Sequence, residues 1–116
     1  MLLGAVAKNM SESIVAHAAN LNELAQYQDD SIVSRTLVNK ASGTITLFAF
    51  AQGQSLSEHI SPYDALVQIL DGRAEIVIAG ETFLVTQGQA IIMPANKPHA
   101  LYAHEKFKML LTMLRA

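Results

Sequence analysis

Residues 53–72 read GQSLSEHISPYDALVQILDG, and residues 88–103 read GQAIIMPANKPHALYA. In both stretches a short apolar run, ALVQIL or AIIMP, stands between glycines and prolines, the punctuation of β-strands joined by tight turns. The same pattern extends outward: SIVSRTLV and TITLFAF lie upstream, AEIVIA and ETFLV between the two stretches, and KFKMLLTML downstream. Seven or eight short strands are therefore predicted from Ser31 onward. Their separators are residues 40–43, 53–55, 71–72, 80–81, 87–89 and 95–98, where Gly or Pro lets the backbone reverse. Asp71-Gly72 is the strongest hairpin signal among them. No run has the length and period of a crossover helix, so a parallel α/β sheet is disfavoured and a sandwich, jelly roll or barrel is expected.

A chain of 116 residues has room for one hydrophobic core. Residues 31–116 are assigned to a single barrel. Residues 1–30 form an arm, either an edge strand or partly helical, with residues 11–25 as the helical candidate and Ser11 as its N-cap. Apolar residues make up 51 % of the chain and charged residues only 16 %, which is little charge for a fully solvated surface. Runs such as ALVQIL and AIIM are apolar on both faces; one face would line the barrel and the other would need a cover, so a homodimer is expected. Eight Lys and Arg stand against ten Asp and Glu with no basic stripe, which argues against nucleic acid as a partner. The absence of cysteine removes disulfides, thiolate catalysis and thiolate metal ligation together. The uncharged start, residues 1–7, precedes Lys8 and is too short for a membrane span, so no membrane association and a cytoplasmic location are expected.

The two quoted stretches together resemble the paired motifs of the cupin family. The first motif runs glycine, five residues, H-x-H, three or four residues, glutamate, six residues, glycine; the second runs glycine, five residues, P-x-G-x-x-H, three residues, asparagine. Gly53, His59 and Gly72 match the first, and Gly88, Pro94 and His99 match the second. Ser61 stands at the second histidine position, Ala65 at the glutamate, Ala103 at the asparagine, and Asn96 at the glycine of P-x-G. Asn tolerates the left-handed backbone that such a glycine adopts. The resemblance implies an all-β fold, an antiparallel cupin β-barrel (a double-stranded β-helix of jelly-roll topology). It also implies a cavity in which three histidines and a glutamate hold a divalent metal. Only His59 and His99 of that set are present. The implied cofactor is thus Zn, Fe, Mn or Ni bound weakly or together with a ligand, or no metal at all.

Period-two alternation supplies a cavity independently. If His59 points inward, so does Ser61; Ala65, Val67 and Ile69 share one face, and His99, Leu101 and Ala103 another inward row. Regular alternation turns Asp64, Tyr102 and His104 away. A small polar or amphipathic ligand would then be held by His59, Ser61 and His99, with Tyr63 at the mouth. Small-molecule binding is the leading expectation, with His59 and His99 also the metal candidates. Two alternatives stand beside it: a metal-dependent cupin enzyme of dioxygenase, isomerase or decarboxylase type, and a non-catalytic structural or interaction barrel. No dinucleotide or phosphate loop is present, and the serines near His59 lack a nucleophile elbow. Met93, Met109 and Met113, dispersed along apolar strands, read as core filler rather than as a copper cluster.

Overall fold

The computed structural model describes residues 13–115. Eight strands follow one another: β1 (Ile32–Lys40), β2 (Gly43–Phe50), β3 (Ser55–His59), β4 (Asp64–Ile78), β5 (Glu81–Thr86), β6 (Ala90–Met93), β7 (His99–Tyr102) and β8 (Phe107–Leu114). Every pairing is antiparallel, along the path β1-β2-β8-β4-β7-β3, with β5 and β6 also on β4. This is the jelly-roll arrangement that the resemblance to cupins implied, and one of the all-β arrangements the spacing of apolar runs left open. β4 serves both layers: its first half pairs with β6 and β8, its second half with β5 and β7. Between the layers lie Phe50, Val67, Ile69, Ile76, Leu101, Phe107 and Met109, all essentially without exposure.

One expected turn is not a turn. β4 runs straight through Asp71-Gly72, so ALVQIL and AEIVIA are two halves of one strand and not a hairpin. Gly72 has a φ of 72°, and the register with β8 shifts between Ile69 and Asp71. A left-handed glycine can close a hairpin or make a bulge that bends a continuing strand, and here it does the second. The two-residue hairpin is at Ala79-Gly80 instead, with φ of 50° and 84°, as a type I′ turn requires.

The helical candidate in the arm is shorter than expected. Among the described residues its one helical element is a 3₁₀ turn, Leu21–Glu23, whose first turn is capped by the Asn20 side chain accepting from the Asn22 N–H. Ser11 lies outside the described residues. Ala16 has a φ of 57°, which breaks a right-handed helix, and Asn20 spends its side chain on a cap. The arm lies on the outer face of the sheet, where Leu21, Leu24, Ala25 and Tyr27 pack with Val33, Leu47, Ala49, Leu70 and Leu110. Polar ties fix it there. Lys108 Nζ donates to the Asn22 carbonyl at 2.6 Å, Arg35 Nη1 to the Leu24 carbonyl at 2.9 Å, and the Tyr27 hydroxyl to Asp71 Oδ2 at 2.6 Å. Beyond the arm, one register row crosses five strands as Val38, Ile45, Thr112, Leu66 and Ile92.

Candidate functional site

The ladder between β3 and β7 brings the two histidines together. His59 ends β3 and His99 begins β7, and the two are direct cross-strand partners beyond a register irregularity. Their rings meet edge to face, with centroids 4.3 Å apart and an interplanar angle of 74°. The Nε2 atoms are 3.0 Å apart. His59 Nδ1 lies 2.8 Å from the Ser57 carbonyl, and His99 Nδ1 lies 3.3 Å from the Lys97 carbonyl. A carbonyl only accepts, so a hydrogen on either Nδ1 is satisfied there, and with both Nδ1 atoms protonated and both rings neutral the two Nε2 lone pairs would face each other. A proton on one Nε2, or a cation bonded to both, relieves that opposition.

The environments of the two rings are unequal. His99 is 4 % exposed, whereas His59 stands open at the rim. Burial holds the His99 pKa below the ordinary imidazole value, the charge of His59 pushes it further down, and the Lys97 carbonyl pulls weakly the other way. His99 is therefore a neutral hydrogen-bond acceptor at neutral pH.

Behind the rings is a cavity of about 100 Å³. His59, Ser61 and His99 form its polar end, with Leu56 beside them. Its wall is apolar, with Ala65, Leu101 and Leu111 joined by the thioethers of Met93, Met109 and Met113. The inward faces read from alternation are found: Ala65, Val67 and Ile69 are buried, as are His99, Leu101 and Ala103. Ser61 lines the cavity, and its Oγ accepts from the Tyr63 N–H at 3.2 Å. Tyr63 itself is not part of the lining; its ring lies 5.8 Å from the Arg115 guanidinium. Asp64 points away and accepts from the Ala95 N–H at 2.8 Å. That bond, with Asn96 N–H to the Ser61 carbonyl at 2.7 Å, stitches the β6–β7 loop to the β3–β4 loop. Asn96 has a φ of 66°, as its place in the motif requires. A larger, shallower depression of about 540 Å³ lies between residues 24–28 and 33–35 on the outer face, and holds neither histidine.

The sequence reading missed the methionines as lining residues. Their spacing along the chain hides that β6 and β8 flank β4 and carry them to one cavity. As for a metal, two imidazoles with anchored Nδ1–H groups fit two positions of a coordination shell. Ser61 and Ala65 add no strong oxygen donor, and among the described residues no group of three or more His, Cys, Asp or Glu could hold an ion. The set does not fit a resident divalent metal of the usual four-ligand kind.

An antiparallel jelly roll with two opposed histidines at the mouth of an apolar cavity defines a cupin-type barrel whose metal-ligand set is incomplete among the described residues. The chain belongs to the cupin domain family, whose pattern matches residues 46–114. A conserved protein of unknown function from Streptococcus pyogenes is 45 % identical, with a TM-score of 0.83 over 85 % of this chain and 87 % of that one. A cupin 2 conserved barrel domain protein from Leptotrichia buccalis is 43 % identical, with a TM-score of 0.84 over 85 % of this chain and 48 % of that one. Polyketide synthase CurC from Streptomyces cyaneus is 30 % identical over 70 residues, 60 % of this chain and 46 % of that protein. The chain thus spans about half the length of the curated relative it matches. Among the described residues no helix is long and apolar enough to cross a membrane.

Proposed function

We propose that this barrel binds a short organic molecule with one polar head and an apolar body. The observation that carries the reading is the polarity of the cavity, whose two imidazoles and one hydroxyl sit at the mouth of an otherwise hydrocarbon and thioether wall. Such a division orients a ligand head-outward and excludes water from its tail. The volume limits its size. An engineered apolar cavity of about 150 Å³ takes up benzene, so about 100 Å³ suits a head group and a few carbons unless the methionines move. His59, Ser61 and His99 are the proposed ligand contacts. Tyr63 is not carried forward, because its ring lies against Arg115.

We also propose that a second copy covers the apolar outer row beyond the arm. Ile92, in that row, is 59 % exposed and Leu114, two residues beyond Thr112 on β8, is 62 % exposed, and burying such side chains yields on the order of 2 kcal/mol each. Native mass spectrometry of the full chain, purified with chelator throughout, tests both statements. The expected spectrum is a dimer carrying an organic mass that His59→Ala and His99→Ala each lose. Retention of that mass by both variants would remove the histidines from the site. A bare chain whose melting temperature is unmoved by short alcohols, amides and carboxylic acids would remove the ligand altogether, and a monomer at micromolar concentration would remove the dimer.

A further inference from the structure

The strand ladder places two sulfurs where the cupin motif has a carboxylate. Ala65, at the glutamate position, pairs with Met93 on β6 and with Met113 on β8. Cross-strand partners share a face, so both thioethers flank the buried Ala65 methyl on the cavity side. Both line the same space as His59 and His99. The hard oxygen donor is absent, and two soft donors border its place.

We propose that the cavity is a binding site for a soft monovalent cation, Cu(I), held by Nε2 of His59 and His99 and by the thioether of Met93 or Met113. Thioethers favour Cu(I) over harder ions, and imidazole is a good ligand for it. The two nitrogens are already close enough to share one ion, toward which the rings must turn. A cation about 2.0 Å from each Nε2 would see the two nitrogens, 3.0 Å apart, at about 95°. Both Nδ1–H groups are already tied to backbone carbonyls, the outer-shell bond that orients a ligating histidine. Charge favours the same ion. All the donors are neutral, and the desolvation penalty of an ion rises as the square of its charge, so a monovalent cation enters this apolar space at about a quarter of the penalty of a divalent one. Methionine side chains have the rotatable bonds to close on an ion of this size.

The proposal rests on the same cavity as the ligand reading but on different atoms, so each can fail alone. The experiment uses the full chain labelled with ¹³C at the methionine methyls. It is titrated with Ag(I) as a redox-inert probe, and with Cu(I) under anaerobic competition against a chromophoric chelator. One equivalent is expected to shift the Met93 and Met113 methyls together. The Met93→Leu/Met113→Leu double variant, a volume-conserving change, is expected to keep its fold and lose about a hundredfold in Cu(I) affinity, while Zn(II) affinity changes less than about threefold. Shifts confined to Met1, Met10 or Met109 would overturn the proposal. So would wild-type Cu(I) affinity in the double variant, or an equal loss of Zn(II). Retention of the organic mass in the double variant would leave the ligand reading in place whatever the copper result.

Discussion

Replacing Gly72 by alanine tests whether β4 is one bent strand or two. A methyl at this position would meet the Lys106 carbonyl oxygen at an impossible approach, and would lie 3.0 Å from Phe107 Cα and 3.1 Å from its Cβ. Gly80, in the β4–β5 hairpin, has a similar φ of 84°, but nothing lies within 4 Å of an added methyl. The left-handed backbone costs an L-residue about 1–2 kcal/mol at either site. Only Gly72 adds an overlap with main chain. To relieve it β8 must back away from β4 at the Gly72–Phe107 pair, which disturbs fully buried Phe107 and its stacking on Phe50 at 4.4 Å. Overpacking of this kind costs about 1–3 kcal/mol, and each backbone hydrogen bond lost adds about 1 kcal/mol. Gly72→Ala is thus expected to destabilise by about 3–5 kcal/mol and Gly80→Ala by about 1–2 kcal/mol. Urea unfolding followed by circular dichroism, at one fixed protein concentration because of the proposed dimer, measures the gap. Equal losses in the two variants would show that Gly72 is an ordinary turn glycine and that the bend is misplaced.

Two further outcomes follow from buried titratable groups. Burial raises the Tyr27 phenol above its ordinary value, and the hydrogen bond and charge of Asp71 raise it further, with a last contribution from Glu105. A phenol whose folded pKa is raised contributes stability that is complete below the unfolded value of about 10 and is lost as pH rises through the folded value. Tyr27→Phe should therefore destabilise by about 1 kcal/mol at neutral pH, a difference that narrows in urea titrations above pH about 10; an unchanged wild-type advantage at alkaline pH would contradict the Asp71 contact. For His99 the sign is reversed, because its pKa is lowered: its contribution is complete above the ordinary histidine value of about 6.5 and is lost as pH falls through the lowered one. Ring-carbon NMR should show His99 titrating below that value, with a midpoint that rises in His59→Ala but stays depressed by burial. An ordinary wild-type midpoint would mean that the ring is solvated.

The sequence disclosed faces better than it disclosed neighbours. Alternation along residues 65–69 and 99–103 is a property of each strand alone, so the burial of Ala65, Val67, Ile69, His99, Leu101 and Ala103 could be read without the fold. Convergence of His59 on His99 needed the added information of the two motifs. What a glycine does with a positive φ depends on which strands compete to pair beyond it. Asp71-Gly72 therefore looked like a hairpin, although the second half of β4 finds β5 and β7 instead of its own first half. That Tyr63 does not line the cavity has a related reason. Its loop is set by Ser61, Asn96 and Asp64 contacts that link distant segments, and these leave the ring beside Arg115.

What occupies the cavity is governed by the loss of the carboxylate. With Ala65 in that place, two imidazoles, one hydroxyl and the thioethers supply donors but no negative charge. A divalent ion bound there would keep its full charge beside hydrocarbon, so it would need an anion of its own to enter with it. A monovalent soft ion carries a smaller penalty and finds better-matched ligands in Met93 and Met113. A neutral organic ligand carries no charge penalty, and its hydrogen-bonding head can answer the imidazole nitrogens. Ala65→Glu would reverse this order. A carboxylate beside two imidazoles restores a hard third donor, so this variant should gain Zn(II) affinity over wild type in calorimetry, at the cost of stability when no metal is present. Wild-type Zn(II) affinity in a folded Ala65→Glu protein would show that position 65 does not share the space into which the two Nε2 atoms point.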